Sequence, residues 1–485
     1  MLRSQIETPI YEPPHKGWVT YKSKAQQPST EAEIFDVLIV GAGLSGINCA
    51  YRLETELPAV KFAVLEGRNR IVGTWDLYRY PGVRSDSDIY TMGFTWHPWS
   101  FDYPIATGDE MMEYISDAVS KHHLDRYIRF RHKVLSANWS TPDQSWNLVA
   151  MDHNGLPKHF RAQWIILSTG YFDYDTPLRP DIPGLDEFKG KVIHPQCWPT
   201  DFDYNDKRIA LIGSGATAVS MLPALPDRAA QVTMIQRSPS YIFPWPNTAW
   251  LQHYLPRTFV DTYRQGFRKD NTKLVPKEID FDTHFKPRYN PWDQRICLDP
   301  DGVFHKALHL PHVHLVTGEI DTVTGNGIKM RDGQSVNADI IVTATGFRMM
   351  MGGNIRIHVD DEPISWGKRY IWNGAMLDSV PNMVFMLGYP FHGWTAGADH
   401  TAVVLTRLWK FMERNAFRSA VPRIPEDAAA GTQRMWQLDA TYVHETDDRM
   451  PVYGVAGNWK PRNRPPIDYV HARWGDYRSG LEFST

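Results

Sequence analysis

Two glycine turns carry the strongest chemical signal in the sequence. The first reads GAGLSG, with Gly41, Gly43 and Gly46 in the GxGxxG spacing; the second reads GSGATA, with Gly213, Gly215 and Ala218 at the same intervals. The pyrophosphate of a dinucleotide needs backbone N–H donors at the start of a helix, and a side chain at either of the first two glycines blocks the tight turn or the close approach. The third position packs helix on strand, where glycine suits and alanine is permitted. A lone GxGxxG is weak evidence, but each copy here follows an apolar run and precedes a helical pattern.

The tips of the strands that follow separate two ligands. Residues 61–65 (KFAVL) end at Glu66, about twenty residues beyond Gly46, where a carboxylate accepts hydrogen bonds from both ribose hydroxyls of an adenosine and repels a 2′-phosphate. That favours FAD or NAD at the first turn. Residues 231–235 (QVTMI) end near Arg237, beside Ser238. A guanidinium there suits the 2′-phosphate of NADPH by charge and fork geometry. Either charge alone reads equally well as a solvated surface residue; opposite signs at equivalent positions favour two sites for two nucleotides.

These residues need two strand–turn–helix–strand units to position them. Residues 35–40 (FDVLIV) and 208–212 (RIALI) are short apolar runs bounded by glycine, the pattern of a buried parallel strand. Asn154-Gly155 and Asp332-Gly333 read as hairpin turns, each placed before an apolar strand ending in Thr169-Gly170-Tyr171 or Thr345-Gly346-Phe347. The step from Gly41 to Gly213 nearly equals that from Gly170 to Gly346, so one unit is repeated. The fold class expected is α/β, with two Rossmann-like dinucleotide-binding domains (FAD and NADP), the second inserted in the first. The bounds are an N-terminal extension over 1–34, a first part of the FAD domain over 35–176, an NADP domain over 177–338 with a helical excursion about 245–285, and the rest of the FAD domain with a C-terminal segment over 339–485. Pro-rich residues 176–184 link into the second domain, and a strand at 339–343 returns the chain to the first. Two independent tandem domains are the alternative.

Bulk composition excludes several classes. A net charge of −3, from 52 basic and 55 acidic residues, leaves no broad basic face for nucleic acid. Cys49, Cys197 and Cys297 form no CxxC pair, so no disulfide framework, metal site or dithiol centre is expected, and a reducing, cytoplasmic setting fits best. No apolar run is long enough to span a bilayer or resembles a signal peptide. Nothing in the sequence sets an oligomeric state.

Two further segments carry a family resemblance. Residues 73–86 read GTWDLYRYPGVRSD, and Phe188, Gly190, His194, Trp198 and Pro199 fall in the order FxGxxxHxxxWP. Both resemble class B flavoprotein monooxygenases of the Baeyer–Villiger type, in particular the group that contains a mycobacterial thioamide-activating enzyme. The resemblance covers roughly residues 35–410. It implies that Ser45, Glu66, Thr74, Trp75, Asp76, Leu77 and Val134 line FAD. It implies also that Arg84, Ser85, Asp86, the loop Gly213, Ser214, Gly215, Ala216, Thr217, Ala218, Val219, and Arg237 with Ser238 face NADPH.

The segment YNPWDQR, residues 289–295, is similar to the one carrying the family's essential arginine, which makes Arg295 the catalytic candidate, with Asp86 pairing with it. Better-known members place a lysine before that arginine to help hold the 2′-phosphate; here the residue is Gln294. The activity implied is insertion of one oxygen atom of O₂ beside the carbonyl of a small apolar ketone, giving an ester or lactone. Rival readings are N- or S-oxygenation of sulfides or thioamides, an FAD/NAD(P) reductase without oxygenation, and a nucleotide sensor without catalysis. His194 reads either as a general base or, more simply, as a structural link between domains. Trp394 reads equally as a cover for the nicotinamide or as packing.

Overall fold

The computed structural model describes residues 31–245, 247, 272–291, 293–390 and 392–485. The expected N-terminal extension lies outside these residues up to residue 30, as does most of the expected excursion; of its remainder, Phe281–Phe285 is one short helix.

In the first unit, β1 (Glu33–Val40) runs into the first glycine turn, α1 (Leu44–Glu56) leaves it, and β2 (Phe62–Leu65) returns parallel to β1. Alternate residues of β1 face opposite sides. Val37 and Ile39 pack with Ile47, Ala50 and Leu53 of α1, whereas Leu38 and Val40 pack with Trp146, Phe160 and Ile165 on the other face. A strand covered on both faces has no polar side to alternate with, which is why it is almost wholly apolar.

After α2 (Thr74–Leu77) and α3 (Ile89–Met92), α4 (Gly108–Lys121) starts on a capping box. Thr107 Oγ1 accepts from the Glu110 N–H at 3.3 Å, and Glu110 Oε2 accepts from the Thr107 N–H at 2.8 Å. Then β3 (Ile128–Arg129) extends the sheet beyond β2, and β4 (Lys133–Ser140), β5 (Ser145–Met151) and β6 (Pro157–Leu167) form an antiparallel meander through the Asn154-Gly155 turn. Because β6 is 11 residues long, its start pairs with β5 while its end runs parallel to β1.

The second unit contains β7 (Lys191–Ile193), β8 (Arg208–Ile212), α5 (Ala216–Met221), β9 (Gln231–Gln236), β10 (Ile242–Trp245), β11 (Cys297–Pro300) and β12 (Val313–Thr317). A three-stranded antiparallel flap follows, β13 (Ile320–Thr324), β14 (Gly327–Met330) and β15 (Ser335–Asn337), and then β16 (Ile340–Thr343). The main sheet has the order β12-β9-β8-β16-β7, every pair parallel. The expectation that residues 339–343 return the chain to the first sheet is therefore corrected. That strand lies between β8 and β7, as β6 lies beside β1, since the strand closing each repeat must hydrogen-bond to the first strand of its own unit.

The return comes later. β17 (Arg356–Val359) pairs parallel with β4, β18 (Glu362–Pro363) folds back on it, and the strand Met383–Phe385 lies parallel to the end of β6. The second unit's sheet is thus inserted between strands of the first. Both units share one strand order, since β3-β2-β1-β6 followed by 383–385 matches β12-β9-β8-β16-β7. The outer strand of the first unit, 383–385, comes from chain beyond the second unit, whereas that of the second, β7, directly precedes β8.

The FxGxxxH segment supplies that outer strand of the second unit. Phe188 packs in the core under the flap, and a Cβ on Gly190 would lie 2.3 Å from the Asp339 carbonyl oxygen that precedes β16. Gly190→Ala is accordingly expected to force β7 off β16 at a cost of about 2–3 kcal/mol, read as a fall in thermal unfolding temperature; unfolding unchanged from wild type would contradict this packing.

Candidate active site at the paired glycine turns

The two turns are built alike. Gly41 has φ +103° and Gly213 has φ +139°, and a Cβ would meet the Ser168 carbonyl oxygen at 2.6 Å in the first and the Ala344 carbonyl oxygen at 2.2 Å in the second. Ser168 and Ala344 are the residues that follow β6 and β16, so each turn is pressed against the end of its neighbouring strand. Only glycine fits there. The 13-residue α1 has no side chain capping its start at Gly43, which leaves its first N–H groups facing the turn. Gly46 lies against the Gly41 carbonyl and locks α1 to β1.

Around the first turn, Glu66 is buried at the tip of β2. Its Oε2 accepts from the Ala42 N–H and its Oε1 from the Arg68 N–H, both at 2.8 Å. Burial pushes its pKa above the ordinary carboxylate value, against the pull of those two N–H groups and of Arg68. Asp76, buried on α2, gathers Arg68 at 2.6 Å, Arg79 at 2.5 Å and Arg70 at 3.3 Å, so three guanidiniums meet one carboxylate beside the turn. Thr74 bonds the Tyr174 hydroxyl at 2.8 Å, Ser45 accepts from Trp394 Nε1 at 2.9 Å, Trp75 packs half-buried on the α1 core, Leu77 is half-buried, and Val134 is buried in the opposite core. All of these sequence-derived positions therefore lie on the elements surrounding the first turn.

At the second turn, Ser214 Oγ donates to the Ser238 carbonyl at 3.1 Å and accepts from Ser240 Oγ at 3.0 Å, tying the turn to the chain beyond β9. Nothing stands within 4 Å of a Cβ built on Gly215; Gly215 and Ala216 are exposed, Thr217 is half-buried, and Ala218 and Val219 are buried. The face over this turn is open for a ligand. Arg237 is exposed at the tip of β9 and donates to Thr441 Oγ1 at 3.2 Å.

The segment 78–86 bridges the units. Tyr80 hydrogen-bonds through its hydroxyl to Ser220 and Thr217 of α5, and Arg84 Nη2 donates to the Leu298 carbonyl of β11 at 2.8 Å. Ser85 is buried and bonds locally to Ser87. Asp86 was expected to pair with Arg295. Its nearest cation is instead Arg84, at 3.8 Å, and Arg295 acts on it only at longer range, because Arg84 reaches the same bridge from two residues away. Burial pushes the Asp86 pKa up to about 6, with Arg84 and then Arg295 pulling the other way.

The Arg295 side chain is exposed to solvent and stands beside Tyr171, Tyr442 and Asp86. Burial works against its charge, yet Tyr171 and Tyr442, a hydrogen bond with Tyr171, and Asp86 hold its pKa above the ordinary arginine value. Sequence reasoning missed both tyrosines. Tyr171 stacks on Trp394 at 4.9 Å and meets Trp436 at 5.0 Å and Phe347 at 5.5 Å, and Phe347 meets Tyr442 at 4.8 Å. The signal that could have found Tyr171 is its position just past the Thr169-Gly170 end of β6, where ligands gather in open α/β sheets. Trp394, at the start of the helix Trp394–Arg414, is packed between Ser45 and Tyr171. His194 links the units: Nδ1 accepts from the Gln196 N–H at 3.2 Å, which leaves Nε2–H to donate to the Gly346 carbonyl at 3.0 Å.

Comparison with known proteins decides the family. The flavin-binding monooxygenase-like family matches residues 35–249. The FAD-containing monooxygenase EthA of Mycobacterium tuberculosis is 37% identical over 456 residues, covering 88% of this chain and 93% of that protein. The chain belongs to the flavin-binding monooxygenase-like family. Another relative, the probable FAD-binding monooxygenase AlmA of an Acinetobacter species, is 35% identical over 477 residues, covering 92% of this chain and 96% of AlmA. Among solved structures, cyclohexanone monooxygenase from Rhodococcus sp. Phi1 bound to NADP⁺ superposes with a TM-score of 0.75 at 19% identity, covering 94% of this chain and all of that one. That likeness establishes the two-Rossmann fold.

The protein is thus a flavin-dependent monooxygenase, and the chemistry of the first turn, an uncapped start of α1 beside the buried carboxylate of Glu66, is compatible with the pyrophosphate and ribose of a flavin dinucleotide. Among the described residues no cluster of metal-ligating side chains is present, and no helix is long and apolar enough to cross a membrane.

The raised pKa of Asp86 has a measurable sign. Its folded value, about 6, exceeds the ordinary 3.8, so its contribution to stability is complete below the ordinary value and is withdrawn as pH rises through about 6. In the flavin-free protein, Asp86→Asn should gain stability over wild type between about pH 4 and about pH 7, by roughly 2 kcal/mol once partial exposure is allowed for. A difference in unfolding temperature that is the same at both pH values would contradict it.

Proposed function

We propose that the protein is a cytoplasmic, NADPH-dependent FAD monooxygenase of the Baeyer–Villiger type. It takes a small apolar ketone, O₂, NADPH and a proton to an ester or lactone, NADP⁺ and water. The observation that carries this reading is Arg295, a permanent cation hydrogen-bonded to Tyr171 and set beside a cluster of aromatic rings. Bound FAD, reduced by NADPH, supplies the activation of O₂ and the transfer of one oxygen atom.

The residues of the chain then have separable tasks. Glu66 and the uncapped start of α1 bind the adenosine and pyrophosphate of FAD, and the loop at 213–219 with Arg237 and Ser238 binds NADPH. Arg295 stabilises the negative charge that grows on the carbonyl oxygen as the ketone is attacked. Arginine suits this because it stays charged throughout, and a charge already in place stabilises charge that develops beside it. Asp86, through Arg84 and its field at Arg295, positions that charge. Tyr171, Phe347, Trp394 and Trp436 form an apolar wall that excludes water and suits an apolar substrate. Free Cys49, Cys197 and Cys297 accord with a reducing compartment.

S-oxygenation is the second reading, favoured by the 37% identity to EthA, which exceeds the identity to the ketone-oxygenating neighbour. The two separate in one assay. With NADPH and air, the enzyme should convert a cyclic ketone to its lactone with product close to one per NADPH consumed. Sulfoxide from a methyl sulfide, with no lactone or ester from any ketone, would assign the second reading instead; NADPH oxidation without oxygen uptake would remove both.

A further inference from the structure

An open cavity of about 670 Å³ lies at the tips of β9 and β12, and its lining includes Arg237, Ser238, Arg288, Thr317, Glu319 and Arg331. Three guanidiniums and two carboxylates, Glu319 and Asp332, line it. Arg331 is taken by an ion pair with Glu319, and Asp332 Oδ1 accepts from the Gln334 N–H at 2.9 Å in its hairpin turn. Arg237 donates to Thr441, and among the described residues neither Arg237 nor Arg288 has a carboxylate partner. Two uncommitted guanidiniums therefore share one cavity, at the strand tip where a 2′-phosphate of an adenine dinucleotide arrives.

The segment carrying Arg288 is not a loose loop. Buried Gln236, at the end of β9, donates to the His284 carbonyl at 2.8 Å and to Thr317 Oγ1 at 2.8 Å, and His284 Nδ1 bonds the same hydroxyl at 2.8 Å. Further along, the Tyr241 hydroxyl donates to the Tyr289 carbonyl at 3.0 Å, with the two rings edge to face at 5.5 Å. Residues 284–289 are thus fastened at both ends to the chain that leaves β9, which fixes Arg288 relative to Arg237. Gln294, by contrast, is engaged away from the cavity: its Nε2 donates to the Asp439 carbonyl at 2.7 Å, and it is not part of the lining.

We propose that Arg288 is the second guanidinium of the 2′-phosphate site and a determinant of NADPH over NADH, opposite Arg237, a role that Gln294 does not fill. This rests on the assignment of NADPH to the second turn. A dianionic phosphate between two guanidiniums receives charge-assisted hydrogen bonds from both sides, which a ribose hydroxyl does not repay. The same pair leaves binding of the 5′-phosphate half unaffected, since that half meets the turn at 213–219.

The test uses the FAD-loaded full chain and two probes, adenosine 2′,5′-bisphosphate and adenosine 5′-monophosphate, titrated by calorimetry. Wild type should bind the bisphosphate more tightly. Arg288→Ala should weaken the bisphosphate by about tenfold to a hundredfold and the monophosphate by less than about twofold, with flavin content unchanged. Arg288→Lys should recover part of the loss. If Arg288→Ala leaves the ratio of the two affinities intact while Arg237→Ala abolishes it, the role of Arg288 is overturned and the NADPH assignment stands. If wild type shows no preference between the probes, the NADPH assignment fails and this proposal falls with it.

Discussion

A guanidinium grouped with tyrosine hydroxyls, with no carboxylate in ion-pair contact among the described residues, is the interaction on which the functional reading of this structure depends. Removing a charge from water costs several kcal/mol unless neighbours replace the lost solvation. Arg295 meets that demand with the Tyr171 hydroxyl, the nearby Tyr442, the field of Asp86 and its own exposure to solvent. A carboxylate in direct contact would neutralise it and spoil it for charge developing on a substrate. Asp86 is instead coupled first to Arg84, which leaves the Arg295 charge available.

The grouping of Arg295 with Tyr171 and Asp86 depends on the two units keeping their relative position, and several short contacts maintain it. His194 bonds Gly346, Arg84 reaches the Leu298 carbonyl, and Tyr80 bonds α5 of the second unit. The chain itself adds a tie, since it leaves the first sheet after β6, completes the second, and returns to the first at β17 and 383–385. The motifs that first draw the eye in the sequence, RYPGVRSD and FxGxxxHxxxWP, are largely the residues of this junction.

What the sequence makes legible follows from how local the physics is. A glycine turn, the strand before it and the acidic or basic tip after it lie within a few tens of residues, so both Rossmann-like halves could be read directly. The sheet to which residues 339–343 belong could not, because four buried apolar residues carry no mark of the strand they will pair with. The three-residue strands at 191–193 and 383–385 are too short for any periodicity to show. Tyr171 and Tyr442 meet Arg295 only through the tertiary fold, and Arg288 lies in a stretch without a motif. The Asp86–Arg295 pairing was misread for the same reason: Arg84 is nearer in both sequence and space.

The account stands or falls on the separation between electron delivery and oxygen transfer at Arg295. The direct measurement is rapid-mixing kinetics of Arg295→Ala, following flavin reduction by NADPH and, in the same preparation, ketone-derived product. Reduction should stay within about threefold of wild type, while oxygenated product falls by roughly a hundredfold to a thousandfold or more. Product formed near the wild-type rate would contradict the central role of this cation.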